Sequence, residues 1–126
     1  MFIQQPFDEF LKMEYEWKTE ETLHVRMPVQ DFFINSTGVI HGGIISTLAD
    51  VATSNLIPAN KDGVQQAVTV DLNTSFLKAA TGTHLIAQAI LEKEGRTLIH
   101  ARCTIYNDNQ DKVAVATAIL CRKTSS

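Results

Sequence analysis

The sequence predicts an α+β domain in which one helix covers an antiparallel sheet. The first observation is an apolar stripe at helical spacing over residues 42–57, with Pro58 directly after it. The second is a change to an alternating period of two beyond Gly63, which is typical of half-buried strands. The third is that four such strand-like runs follow one another, separated by short turns.

The chain before the long helix predicts one short helix and one strand. Residues 6–15 carry Phe7, Phe10 and other apolar side chains at near-helical spacing, which indicates an amphipathic helix. From residue 16 to residue 28 the pattern changes to that of a strand, with Leu23 and Val25 on one face.

The four later strands are predicted at residues 67–73, 85–91, 97–106 and 113–121, with turns at 81–83, 94–96 and 107–109. The last run is apolar on both faces, so we expect it to lie inside the sheet. An antiparallel sheet needs a cover on one face, and only the helix over residues 42–57 is large enough to provide it.

The composition places the chain among ordinary globular proteins. Its 126 residues include 11 basic and 14 acidic side chains, for a net charge of −3, and 44% are hydrophobic. This length predicts one domain spanning residues 1–126. The sequence has no cluster of Lys or Arg of the kind that binds nucleic acid. It also has no apolar stretch as long as the ~20 residues that a membrane span requires. We therefore expect neither nucleic acid nor a membrane as a partner.

The N-terminus and the cysteines predict a cytoplasmic protein, and the histidines argue against a metal site. Residues 1–9 lack the basic flank and the apolar core of a secretory signal. Cys103 and Cys121 lie in apolar runs without CxxC spacing, which favours two reduced thiols in a cytoplasmic protein. The four histidines show no metal-ligand spacing, so we expect no metal site.

Asp50 is the only formally charged residue between Phe32 and Asn60. It lies in the middle of the helix that we expect to be most buried, where an ionised carboxylate costs several kcal/mol unless it is paired or solvated. One interpretation is an Asp on a polar helix flank, together with Ser46, Thr47, Thr53 and Ser54. The other is a functional carboxylate in a cleft, which the start of the same helix favours.

The helix start consists of His41, Gly42 and Gly43. Two glycines leave backbone N–H groups uncovered at the positive end of the helix dipole. Such a terminus can receive a carbonyl oxygen that becomes negative during attack, as an oxyanion hole must. A tight turn that needs positive φ explains two glycines equally well.

The pattern Asn35-x5-His41-Gly42-Gly43-x6-Asp50, followed by the strand over residues 68–73, resembles the hot-dog-fold acyl-CoA thioesterases of the phenylacetic-acid-degradation type, within the 4-hydroxybenzoyl-CoA thioesterase superfamily. The resemblance runs from residue 22 to residue 121. It implies a long central helix wrapped by an antiparallel sheet. It also implies subunits joined edge to edge with active sites between them, in a homodimer or a homotetramer built as a dimer of dimers.

The resemblance assigns catalytic roles to five residues. The Gly42 N–H polarises the thioester carbonyl, Asn35 helps to orient it, and His41 contacts the thioester or the leaving thiolate. Asp50 acts across the dimer interface as a general base or as a nucleophile. Thr69 lies at a strand position that is often Ser in the relatives, and its hydroxyl positions the attacking water.

The resemblance also implies the substrate class. The substrate it implies is an acyl-CoA, of which an aromatic acyl-CoA is one candidate, and coenzyme A enters as part of that substrate. Gly43 is expected to contact this substrate. One carboxylate, one water and an oxyanion hole suffice for an activated thioester, so no cofactor is expected. Lys78 and Arg96 are candidates to bind the phosphates of coenzyme A. The alternative, that both are solvated charges in turns, is at least as good an interpretation.

Two other functions fit the same fold. A non-catalytic acyl-CoA-binding module is the main alternative, but such modules usually lack the acid and carry an additional DNA-binding segment, for which we expect no room in this chain. A hydratase or dehydratase places its catalytic His and acid in a different motif, which the sequence does not contain. Release of free thiol from acyl-CoA distinguishes an enzyme from a binding module.

Overall fold

The computed structural model describes residues 1–123, which form two helices, a short 3-10 turn and six strands. They are, in chain order, α1 (Pro6–Phe10), β1 (Glu14–Trp17), β2 (Thr22–Pro28), the 3-10 turn (Asp31–Phe33), α2 (Gly42–Ser54), β3 (Ala67–Phe76), β4 (His84–Glu94), β5 (Leu98–Asn107) and β6 (Lys112–Arg122). The α+β class is confirmed. None of the helices in this part of the chain is long and apolar enough to cross a membrane.

The six strands form one antiparallel sheet in the order β1-β2-β4-β5-β6-β3. β6 lies between β5 and β3, as its two apolar faces predict. β3 does not pair with β4, the next strand along the chain. Residues 77–83 instead carry the chain across three strand spacings of about 4.8 Å each, which seven residues span easily. β3 therefore lies at one edge of the sheet, and its outer edge is unpaired within residues 1–123.

Helix α2 packs on one face of the sheet, as predicted. Ile45, Leu48 and Ala52 of its apolar stripe are at most 2% exposed. They face small and branched side chains that alternate inward along the strands: Leu23, Val25, Met27, Leu85, Ala87, Ala89, Ile99, Ala101, Cys103, Ile105, Ala116, Ala118 and Leu120. Each large side chain buried here contributes about 1.5–3 kcal/mol, so this layer positions α2 firmly over the sheet.

The N-terminal region differs from its prediction. The helix expected over residues 6–15 ends at Phe10, because Lys12 adopts a left-handed conformation with φ of 57°. The strand expected over residues 16–28 is a hairpin of β1 and β2, joined by a turn in which Lys18 N donates to Thr22 O. Phe7 and Phe10 remain exposed. Pairing with β2 thus overrides the local helical spacing.

Two further differences concern the ends of α2 and the faces of β3. α2 stops at Ser54, because the buried Asn55 side chain donates to Val51 O and accepts from Ile3 N. In β3, Val68 and Val70 are 47% and 58% exposed while the hydroxyl of Thr69 lies towards α2. The inward face of this strand is therefore polar at Thr69, where the sequence predicts alternation with an apolar inward face.

Candidate active site

The start of α2 presents free backbone donors. His41 caps the helix, and its carbonyl accepts the N–H of Ile44 at 3.0 Å and of Ile45 at 3.3 Å. The N–H groups of Gly42 and Gly43 have no acceptor within residues 1–123. The N–H groups of the first helical turn have no carbonyl four residues earlier in the helix to bond, and those left open favour negative charge. The geometry suits a carbonyl oxygen that gains charge.

Close packing explains Gly42, and turn geometry does not. Neither Gly42 nor Gly43 has positive φ; the tight turn before the helix uses Gly38, at φ 82°. A Cβ added to Gly42 would lie 3.1 Å from the Phe76 ring, whereas one added to Gly43 would meet nothing within 4 Å. The interpretation of both glycines as turn residues is therefore wrong, and Gly42 permits the approach of Phe76.

A pocket of about 410 Å³ opens beside this helix start. It brings together Asn35, Gly42 and Lys78, three of the predicted site residues, with an apolar wall that includes Val39, Ile40, Ile45, Phe76, Leu77 and Ala80. The volume lies within the range of small-molecule sites. Lys78 forms an ion pair with Asp111 at 3.3 Å, so part of its charge is already compensated.

Asn35 uses one half of its amide within the chain. Its Oδ1 accepts the N–H and the hydroxyl of Thr37 at 2.9 and 2.7 Å and the N–H of Val39 at 3.2 Å. This holds the loop that leads to His41. Among the described residues its Nδ2 has no acceptor, so the group that remains is a donor, as a carbonyl ligand requires.

Asp50 lies in the C-terminal half of α2 and contacts β3. The hydroxyl of Thr69 donates to Asp50 Oδ1 at 2.6 Å, and the Ser54 hydroxyl lies 3.4 Å from the Thr69 oxygen. A bulge in β3 between Thr69 and Asp71 accompanies this contact, and bulges commonly re-aim a side chain. Asp50 is half-buried in the single chain, and within residues 1–123 its Oδ2 accepts no hydrogen bond.

One subunit does not bring the carboxylate to the helix start. Gly42 and Asp50 are eight residues apart in α2, and at 1.5 Å per residue their backbones are separated by about 12 Å along the helix axis. The donors of Gly42 and the Asp50–Thr69 pair therefore lie apart within one subunit, and we call these two groups the half-sites of the candidate site. His41 and Gly43 are exposed at the first of them.

Arg96 lies apart from both half-sites. It is exposed in the turn between β4 and β5, at the end of the sheet where Ala67 pairs with Arg122. Lys78 follows Phe76, which pairs with Ala114 at the opposite end. Within one subunit the two candidate phosphate-binding cations therefore lie at opposite ends of the sheet.

Sequence reasoning missed the contacts of Ser54 and Phe76. The sequence identified Ser54 only as part of the polar flank of α2, because its contact with Thr69 depends on how α2 packs against β3. Phe76 lies beyond the strand predicted over residues 67–73, and nothing in the local sequence indicates that its ring reaches Gly42. Within residues 1–123 no three His, Cys, Asp or Glu side chains come together as a metal site would require.

Comparison with known proteins adds a family. The sequence profile of the thioesterase superfamily matches residues 37–114. Acyl-coenzyme A thioesterase 13 of Mus musculus is 29% identical over 115 residues, covering 90% of this chain and 81% of the mouse protein. A Bacillus halodurans protein whose crystal structure contains CoA is 27% identical, with a TM-score of 0.84 over 98% of this chain and 82% of that one. A phenylacetic acid degradation-related protein from Ralstonia eutropha is 28% identical, with a TM-score of 0.82 over 94% and 91%.

Proposed function

This chain belongs to the thioesterase superfamily, and from that premise we propose that it hydrolyses acyl-coenzyme A thioesters at a site shared between two subunits. The hot-dog fold expected from the motif, a long helix wrapped by an antiparallel sheet, is confirmed. The mouse relative is named an acyl-coenzyme A thioesterase, which supports the same substrate class here.

The hydrogen bond from Thr69 to Asp50 is the single observation that carries the proposal. It places a hydroxyl and a carboxylate side by side at the edge of the sheet, 2.6 Å apart. With the Thr69 proton directed at Oδ1, the oxygen of that hydroxyl faces Ser54 and Oδ2 is left to accept a proton. A water held between these groups is oriented and activated at once.

The proposed reaction is attack of that water on the thioester carbonyl carbon. Asp50 accepts the proton of the water as the C–O bond forms, and the carbonyl oxygen becomes an oxyanion at the N–H of Gly42. Collapse of this intermediate breaks the C–S bond. The thiolate of coenzyme A leaves and takes up a proton, and the acyl group leaves as a carboxylic acid. One oxyanion donor typically contributes 10²–10³ in kcat.

Asp50 as a nucleophile is the second version of the same proposal. Its Oδ2 would then attack the carbonyl carbon and form a mixed anhydride that water opens. A single turnover in ¹⁸O-labelled water separates the versions. A general base puts the label into the released acid, whereas a nucleophile leaves it on Asp50 after hydrolysis of the anhydride at the aspartyl carbonyl.

Two subunits complete the site because β3 has an unpaired edge. Gly42 contacts Phe76 at one end of β3, and Asp50 contacts Thr69 near the other end. Antiparallel pairing of β3 with its copy about a two-fold axis apposes the two ends. Each half-site then meets the complementary half-site of the partner subunit, in a homodimer or in a homotetramer of two such dimers.

The remaining predicted residues take supporting roles in this arrangement. The Nδ2 of Asn35 donates to the thioester carbonyl beside Gly42, and Gly43 supplies an adjacent N–H. The exposed ring of His41 contacts the thioester or the leaving thiolate. The antiparallel pairing brings Arg96 of the partner subunit to the Lys78 end of the sheet, where both cations face the phosphates of coenzyme A.

The test is thiol release from a panel of short-chain, long-chain and aromatic acyl-CoAs, including phenylacetyl-CoA, measured with and without a chelator. We expect turnover that the chelator does not reduce, and we propose that aromatic acyl groups are among those hydrolysed. Binding of acyl-CoA without thiol release would identify a non-catalytic binding module. Loss of turnover with the chelator would overturn the metal-free mechanism.

A further inference from the structure

The ring of Phe76 lies against Gly42, whose N–H is the proposed oxyanion donor. Its ring atoms lie 3.1, 3.3 and 3.6 Å from the position that a Cβ on Gly42 would occupy. Its backbone is fixed, since Phe76 pairs with Ala114 of β6 and the next residue, Leu77, donates to Val113 O at 2.8 Å. The ring nevertheless remains 53% exposed. It lines the pocket without being part of the core.

The pocket wall suits an acyl group better than the rest of coenzyme A. Apart from Asn35 and Lys78, the side chains that line it carry no nitrogen or oxygen. The amides of the pantetheine arm would find few side-chain partners there, and buried amides without partners cost free energy. A hydrocarbon or aryl group needs no such partners.

We infer that Phe76 is the residue that sets which acyl groups the enzyme accepts. This inference rests on the proposed thioesterase function. A carbonyl held at the N–H of Gly42 has the Phe76 ring in van der Waals reach of its acyl side, so the ring limits the width available to that group. An extra methylene in such a pocket changes selectivity by about tenfold or more.

The test compares kcat/KM of wild type, Phe76→Ala, Phe76→Leu and Phe76→Trp over the same acyl-CoA panel. The Ala and Leu variants should raise the ratio of bulky to short-chain kcat/KM by about tenfold, and the Trp variant should lower it. Phe7→Ala is the matched control, because Phe7 is 56% exposed and lies outside the pocket. Its profile should equal that of wild type.

Two outcomes would overturn the inference. A uniform change over all acyl groups would place Phe76 against the part that every substrate shares. An unchanged profile would show that the ring does not touch the acyl group. If Phe76→Ala fails to fold, Phe76→Leu keeps an apolar contact with Gly42 and decides the question. A wild-type protein that releases no thiol from any substrate would refute the proposed function itself, a result distinct from either.

Discussion

Replacement of Asp50 by Asn removes the proposed base and keeps its shape. The Asn oxygen still accepts the Thr69 hydroxyl, which now lies 2.6 Å from Asp50 Oδ1. A hydrogen bond to a charged group contributes about 1.5–3 kcal/mol and one to a neutral group about 0.5–1.5, so this contact weakens by about 1 kcal/mol. The carboxylate is half-buried in one chain, and the proposed dimer would cover it further. Its replacement by a neutral amide removes the desolvation cost of the charge at the same time.

We therefore expect the melting temperature of Asp50→Asn to stay within about 5 °C of wild type or to rise. Thiol release should fall by at least ~10², which corresponds to about 2.7 kcal/mol of barrier. Substrate should still bind, since Asn35 and Gly42 are untouched. Both quantities are measured on one preparation by thermal unfolding and by thiol release.

Asp62→Asn is the control for this experiment, because it makes the same change at an exposed loop position. It should leave both stability and turnover unchanged. An Asp50→Asn protein that is clearly destabilised yet turns over normally per folded molecule would refute the reasoning. Asp50 would then be a structural residue on the polar flank of α2, and the assignment of the base would fail with it.

Three other variants or measurements test separate parts of the account. Gly42→Val should lower kcat by about 10²–10³ and force the Phe76 ring aside; a folded variant with normal kcat would place the oxyanion hole elsewhere. Sedimentation should show at least a dimer, and an active monomer at micromolar concentration would exclude a shared site. Refolding an equal mixture of Gly42→Val and Asp50→Asn subunits should restore about a quarter of wild-type activity, because half of the dimers are hybrids and each hybrid has one intact site out of two. Burial raises the pKa of Cys103 to about 12, so the reaction of this thiol with a thiol reagent in the native protein should stay negligible from pH 7 to 9.5. The half-buried Cys121 should react first, and rapid modification of both thiols would contradict this prediction.

Local periodicity was sufficient to predict most of the elements. The stripe of α2 and the alternation of β4, β5 and β6 follow from side chains that must be buried on one face, or on both for β6. The short β1 escaped prediction because four residues carry too little periodicity, and pairing with β2 decides their conformation. Local periodicity also cannot give the position of β3 in the sheet, because β3 pairs with β6 and not with the next strand along the chain.

The sequence motif named the residues of the candidate site, but not how the fold arranges them. The motif named Asp50 and Thr69, and the structure places them in contact. Spacing in the sequence cannot show that Gly42 and Asp50 present separate half-sites, because that depends on the helix rise and on packing against β3. The positions of Lys78 and Arg96 at opposite ends of the sheet are likewise set by strand order, which no local pattern encodes.

The edge of β3, which is unpaired within residues 1–123, also affects whether newly synthesised chains aggregate. Edge strands invite non-native pairing, and proteins usually blunt them with Lys or Pro. β3 has neither between Ala67 and Phe76, and it exposes Val68 and Val70 beside open backbone groups. A newly folded subunit is therefore prone to aggregation through that edge, which the proposed dimer would cover. Expression at low temperature, which slows the encounter of unfolded chains relative to native assembly, should favour recovery of intact protein over inclusion bodies.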